Sequence, residues 1–187
     1  MQVSNRFRRT RAGIEAKFGA AEAAALRRLF TELVDLLDDG DGDPAAASAD
    51  PLERLFAESK ERSRPDDPVL ARLLPDAYAD DEAASSEYRR LTEGDLRAGK
   101  VAAASAALAS LQLADDGRVR LDGEGAQAWL SALNDLRLSL GTRFEVTEDL
   151  HEEVERMPSD DPRLPGLSAY LWLGWLQETL VQAVAGW

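Results

Sequence analysis

Apolar residues recur at two different periods along the chain, and the change of period marks its parts. In "NRFRRTRAGIEAKF" (5–18) apolar and charged residues alternate on both sides of Ala12-Gly13, which predicts a small β-hairpin. From Ala20 the period lengthens. Leu26, Leu29, Phe30, Leu33, Leu36 and Leu37 follow the i, i+3, i+4, i+7 spacing of an amphipathic helix. The stretch "DDGDGDPAAASAD" (38–50) has no apolar anchors and reads as a flexible acidic linker.

Aspartates followed by proline then punctuate the chain. Asp50-Pro51 is an N-cap with proline at the first helical position, ahead of a short helix through Leu52, Leu55 and Phe56. Asp67-Pro68 repeats the device before Val69, Leu70, Leu73 and Leu74, and Pro75 ends that helix. Asp80 or Asp81 caps the next helix, through Tyr88 and Leu91. Thr92, Gly94 and Asp95 predict a fresh cap and a kink, with Val101, Ala104, Leu108 and Leu111 forming the stripe beyond it. A short strand, Arg118–Leu121, is placed to join the hairpin. Asp122 opens a helix whose buried face is Trp129, Leu133, Leu136 and Leu140, with Gly141 suited to the left-handed residue past its end.

Thr147 is expected to cap a short acidic helix ending near Met157-Pro158, and "SDDPRLPG" (159–166) reads as a loop. The last helix carries Ala169, Trp172, Leu173, Leu176, Leu180, Ala183, Val184 and Trp187 on one broad stripe. Its first half is apolar nearly all round, which predicts a path through the middle of the core. Gln177, Glu178 and Gln182 interrupt it, so a buried helix fits better than a membrane span. The sum is a mainly α fold: a single multi-helix domain (1–187) of six to eight helices with a small N-terminal β-hairpin.

Composition narrows the chemistry. The 44% hydrophobic content suffices for a real core. The absence of cysteine removes disulfides, thiolate metal sites and a cysteine nucleophile, and it suits a cytoplasmic setting. No apolar segment follows the charges of "MQVSNRFRRTRAG", so no signal peptide is expected. The net charge of −13 is unevenly spread: residues 1–17 carry +4, leaving −17 on the rest. Arg6, Arg8, Arg9 and Arg11 therefore form a basic arm on an acidic body. The arm either folds back on its own acidic surface or contacts nucleic acid or an acidic protein, alone or as one of two arms in a homodimer.

The chain lacks the residue patterns of the common catalytic and metal sites. Counting "DGDGDP" from Asp39 as a calcium loop puts Pro44 where the turn glycine belongs. Glu148 and His151 form one Glu-x-x-His, but His151 is the sole histidine, so neither a second such motif nor a multi-histidine zinc site can be built. Ser131 and Ser139 lie on a helix, outside any nucleophile elbow. The glycines of "DGEGAQ" (122–127) lack dinucleotide spacing. No cofactor and no enzymatic activity are expected. Glu87, Glu93 and Asp95 break up the basic residues of "EYRRLTEGDLRAGK" (87–100), so it does not read as a DNA-recognition helix.

The polar residues of "LNDLRLSLGTRF" (133–144) remain. On a helix Asn134 and Arg137 lie along one edge and Asp135 along another, so they do not converge. They are read as a structural network, with partner contact as the alternative. The candidate network comprises Asn134, Asp135, Arg137, Arg143, Arg72 and Asp76: Arg137 near the helix C-terminus suits the helix dipole, and Asn134 is expected to anchor a neighbouring loop, one candidate being "RLLPDAY" (72–78), where Arg72 and Asp76 also need partners.

Three runs carry a resemblance: "RLLPDAYADDEAASSEYRRLTEGDLRAGK" (72–100), "WLSALNDLRLSLGTRFEV" (129–146) and "YLWLGWLQETLV" (170–181). They resemble an actinobacterial family, first known as a domain of unknown function, that includes the AosR-type oxidative-stress transcriptional regulators. The resemblance implies a cytoplasmic regulator that acts with a sigma factor or RNA polymerase, on sulfur-assimilation genes among others. It also implies redox control through a cysteine pair, and this chain has no cysteine, so no such residues carry over.

Overall fold

The computed structural model describes residues 7–38, 64–78, 80–114 and 116–186. Within them lie six helices: α1 (Ala20–Asp38), α2 (Pro68–Leu73), α3 (Glu82–Gln112), α4 (Gly123–Arg143), α5 (Leu150–Arg156) and α6 (Leu164–Ala185). Strands β1 (Arg8–Thr10), β2 (Gly13–Lys17) and β3 (Arg118–Leu121) complete the fold. The expected linker and the helix expected at Leu52–Phe56 fall outside the described residues, apart from Asp38, which closes α1. Among the described residues no helix is long and apolar enough to cross a membrane.

Alternation explains the sheet. β1, β2 and β3 pair antiparallel in that order, so the strand after α3 does join the hairpin. Ile14, Ala16, Val119 and Leu121 are buried on one face, and their charged neighbours point the other way. The hairpin turn needs Gly13: its φ is +124°, and a Cβ there would lie 2.4 Å from the Leu121 carbonyl oxygen.

Aromatic residues lock the sheet onto the helices. Trp129 of α4 is fully buried, with Phe7, Phe18 and Phe30 at ring-centroid distances of 5.3–5.7 Å. Its indole N–H donates to Ser110 Oγ on α3 at 2.9 Å, so the one polar atom of this cluster is satisfied. Phe7 immediately precedes β1, so the basic arm is pinned where it enters the hairpin.

Helix ends follow the sequence in part. Asp67, Asp81 and Asp122 each accept backbone N–H groups as N-caps of α2, α3 and α4. Four expectations are corrected. α3 runs unbroken through Thr92–Asp95, because the Thr92 hydroxyl donates to the Tyr88 carbonyl within the helix instead of capping a new one. Gly141 lies inside α4, beneath the Tyr170 ring, and the left-handed residue is Glu145 (φ 50°). Asp149, not Thr147, holds the N-cap position of α5; the Thr147 backbone carbonyl accepts from Leu150 N–H at 3.3 Å. Leu164–Gly166, expected in a loop, form the first turn of α6.

The helix at the centre is α4, not the last one. It packs against α1, α2, α3, α6 and β3, whereas α6 lies against α4, α5 and β1 with Trp172 and Trp175 half-buried. The apolar residues of α6 divide between a buried stripe, with Leu173, Leu176 and Leu180, and Trp172 and Trp175, which are half-buried at the edge of the core.

Candidate functional site

The outer face of the sheet gathers positive charge. Strand alternation sends Arg8, Glu15, Lys17, Arg118 and Arg120 to the same side, and the register sets Glu15 opposite Arg8 on one flank and Arg120 on the other. Glu15 lies 4.0 Å from Arg8, 3.6 Å from Arg118 and 3.2 Å from Arg120. Three arginines thus surround one carboxylate, with Lys17 on the same face. The arginine side chains are open to solvent, Arg8 at 67% and Arg120 at 70%, while Glu15 is 15% exposed. Three arginines on a single acid leave a net positive face on a strongly acidic chain.

This face reshapes the expected arm. Arg8 belongs to it. Arg9 reaches round the edge and donates to the Gly186 carbonyl at the end of α6. Arg11 is exposed at the hairpin turn. Arg6 lies outside the described residues. Arg118 and Arg120 are the members missed from sequence. The signal was present in "RVRL" (118–121), whose alternation exposes both arginines once β3 pairs with β2.

A second constellation is internal. Arg89, Glu93, Arg97 and Lys100 lie on one face of α3, at successive helical turns. Arg89 is almost wholly buried. It donates to Glu93 at 2.5 Å, to Asp76 at 2.6 Å and to the Leu74 carbonyl at 3.2 Å. Burial works against its charge, yet the hydrogen bonds it donates to Glu93 and Asp76 outweigh that and raise the guanidinium's pKa further. Arg97 donates to Glu93 at 3.2 Å and to the Leu37 carbonyl at 2.7 Å. Lys100 meets the buried Asp135 of α4 at 2.7 Å. The last carbonyls of α1 and α2 are therefore capped by arginines of α3, where helix dipoles favour cations.

Of the residues expected to form one network, the structure brings Asp76 and Asp135 into this seam, each with a partner on α3. Asn134, Arg72 and Arg143 are exposed. Arg137 stands apart, in a groove between α4 and α6. It donates to Gln177 Oε1 at 2.7 Å and to the Tyr170 hydroxyl at 3.5 Å, with its guanidinium 5.3 Å from the Tyr170 ring centroid. This groove opens into a cleft of about 520 Å³ that Glu148, His151, Trp175 and Glu178 also line. Among the described residues no group of three or more His, Asp or Glu side chains is arranged to hold a metal ion.

Residues 4–184 match the family described as "Domain of unknown function (DUF2017)". The chain is 34% identical over 179 residues to the "Oxidative stress regulator AosR" of Mycobacterium tuberculosis, a span covering 88% of this chain and 79% of that protein. The Mycobacterium bovis protein of the same name gives the same figures. A Mycobacterium leprae relative is 33% identical over 180 residues, 87% of this chain and 78% of its own. No solved structure matches.

Proposed function

The chain belongs to the DUF2017 family, and from that premise we propose that it is a cytoplasmic, non-enzymatic transcription regulator of the oxidative-stress type for which its mycobacterial relatives are named. It works by docking the basic sheet face on an acidic surface of the transcription apparatus: DNA, a sigma factor or RNA polymerase. The observation that carries this reading is the cluster of Arg8, Arg118 and Arg120 around Glu15 on a chain of net charge −13. Such a face gives electrostatic steering without catalytic machinery. Support for a non-enzymatic role comes from the buried carboxylates, since Glu93 and Asp135 are each committed to basic partners. With no cysteine in the chain, the redox signal reaches it through a partner.

Anisotropy of a labelled promoter duplex, titrated with the protein alone and with a sigma factor or core polymerase, tests the reading. Binding should weaken steeply with salt, and Arg8→Glu with Arg120→Glu should abolish it in at least one of these mixtures. Unchanged binding by the charge-reversed variant in every mixture would refute it. A second reading, a protein-interaction scaffold with no DNA role, is favoured by the half-buried Trp172 and Trp175 and the exposed Val181 on α6. It predicts partners whose capture survives charge reversal on the sheet.

A further inference from the structure

Arg137 is the residue whose side chain holds a buried polar atom with no hydrogen-bond partner among the described residues. There are 35 acidic residues to 22 basic ones, yet among the described residues no carboxylate pairs with it. Its two hydrogen bonds go to neutral groups, one of them long, and its Nε is buried without any partner. A guanidinium carries five N–H donors and matches a carboxylate in planar, two-point fashion. Gly174 of α6 faces it, and a Cβ there would make ordinary van der Waals contact with Nε at 3.4 Å. The side chain is thus held in place by packing, with most of its bonding capacity unspent.

The surrounding cleft decides which anion fits. Leu150, Leu171, Tyr170 and Trp175 supply apolar wall, and Glu148 and Glu178 bring negative charge to the same cavity. Two glutamates repel a phosphate dianion but attract an ammonium group. We propose that this cleft binds a free zwitterion of the α-amino-acid class. Its carboxylate pairs with the outer nitrogens of Arg137, its ammonium faces Glu148 and Glu178, and its side chain lies along Tyr170 and Trp175. A cavity of about 520 Å³ is large enough for an aromatic or branched amino acid. The site is remote from the charged sheet face in sequence and chemistry, and it stands whether or not that face binds DNA.

Calorimetric titration of the full chain with L-phenylalanine, 3-phenylpropionate and 2-phenylethylamine separates the two charges. L-phenylalanine should bind best, and loss of either charged group should weaken binding about tenfold or more, the scale of one charge-assisted hydrogen bond. Arg137→Gln should remove binding of both carboxylates. Glu178→Gln, an exposed and structurally mild change, should erase the preference of L-phenylalanine over 3-phenylpropionate. A thermal melt of each variant distinguishes lost binding from lost fold. The proposal fails if none of the twenty common L-amino acids binds at millimolar concentration, if Arg137→Gln binds as well as the parent, or if inorganic phosphate competes as effectively as the amino acid.

Discussion

At the scale of single residues, burial decides what each charge is worth. Asp135 is 3% exposed and depends on Lys100, whereas Arg120 is 70% exposed beside Glu15. Lys100→Met would strand a buried carboxylate and should cost about 3–5 kcal/mol. Arg120→Ala gives up a solvent-screened pair and should cost less than about 1 kcal/mol. Urea denaturation at constant m-value measures both, and equal shifts in midpoint would contradict this ordering. Pairing Lys100→Met with Asp135→Leu should recover much of the loss, because the stranded charge goes too. Sequence alone marked Asp76 and Asp135 as needing partners but not Arg89 and Lys100 as supplying them. On α3 Arg89 has Glu93 at i+4 and Lys100 follows Asp95 by five residues, a pattern that reads equally well as a solvated helix face. Only the docking of α3 against α1 and α4, with the loop after α2 over Arg89, turns that face inward. Asn134 shows the same limit: it is the immediate neighbour of buried Asp135, and a helix rotates about 100° per residue, from interior to solvent.

At the scale of elements, two glycines look alike in sequence and differ in what they permit. Gly166 opens α6 under the Phe144 ring, and a Cβ there would lie 2.0–2.8 Å from three ring carbons. Gly141, near the end of α4, would bring a Cβ to 3.3 Å from one edge carbon of Tyr170. Gly166→Ala should therefore destabilise by about 1–3 kcal/mol through overpacking. In Gly141→Ala the gain in helix propensity, up to about 1 kcal/mol, offsets a small shift of the ring, so its melting temperature should stay near the parent's. Comparable losses in the two variants would show that the α4–α6 seam is not packed as described. The existence and type of nearly every described element were legible from periodicity, and three caps were legible from aspartate placement. The errors at helix ends and breaks have separate causes. Thr92–Asp95 and Gly141 carry local signals for a break, but the Thr92 hydroxyl bonds back to the Tyr88 carbonyl within α3, and Tyr170 packs against Gly141 from α6. Tertiary contact of this kind leaves no mark on a single helix's periodicity. The central place of α4 was hidden for the same reason, since its polar residues Asp135 and Arg137 are neutralised or shelved by neighbours rather than by solvent.

At the scale of the whole molecule, the basic face exists against the run of the chain's charge, and Glu15 is the residue that moderates it. Its carboxylate sits among Arg8, Arg118 and Arg120 and cancels one unit of their charge. Truncating an arginine there weakens binding on many hypotheses, including simple loss of fold, so a substitution that strengthens binding is more telling. Glu15→Gln keeps the size and hydrogen-bonding shape of the side chain while freeing all three arginines. Screened pairs of this kind carry little stability, so the melting temperature should fall only slightly. Affinity for an acidic partner should rise. With duplex DNA the slope of log affinity against log salt should steepen by about 0.9, the increment for one more phosphate neutralised. The same substitution in a protein that docks by another surface would leave both affinity and slope unchanged. Measuring salt dependence for the parent and Glu15→Gln side by side therefore separates a sheet whose charge is used in recognition from one whose charge only holds its own strands together.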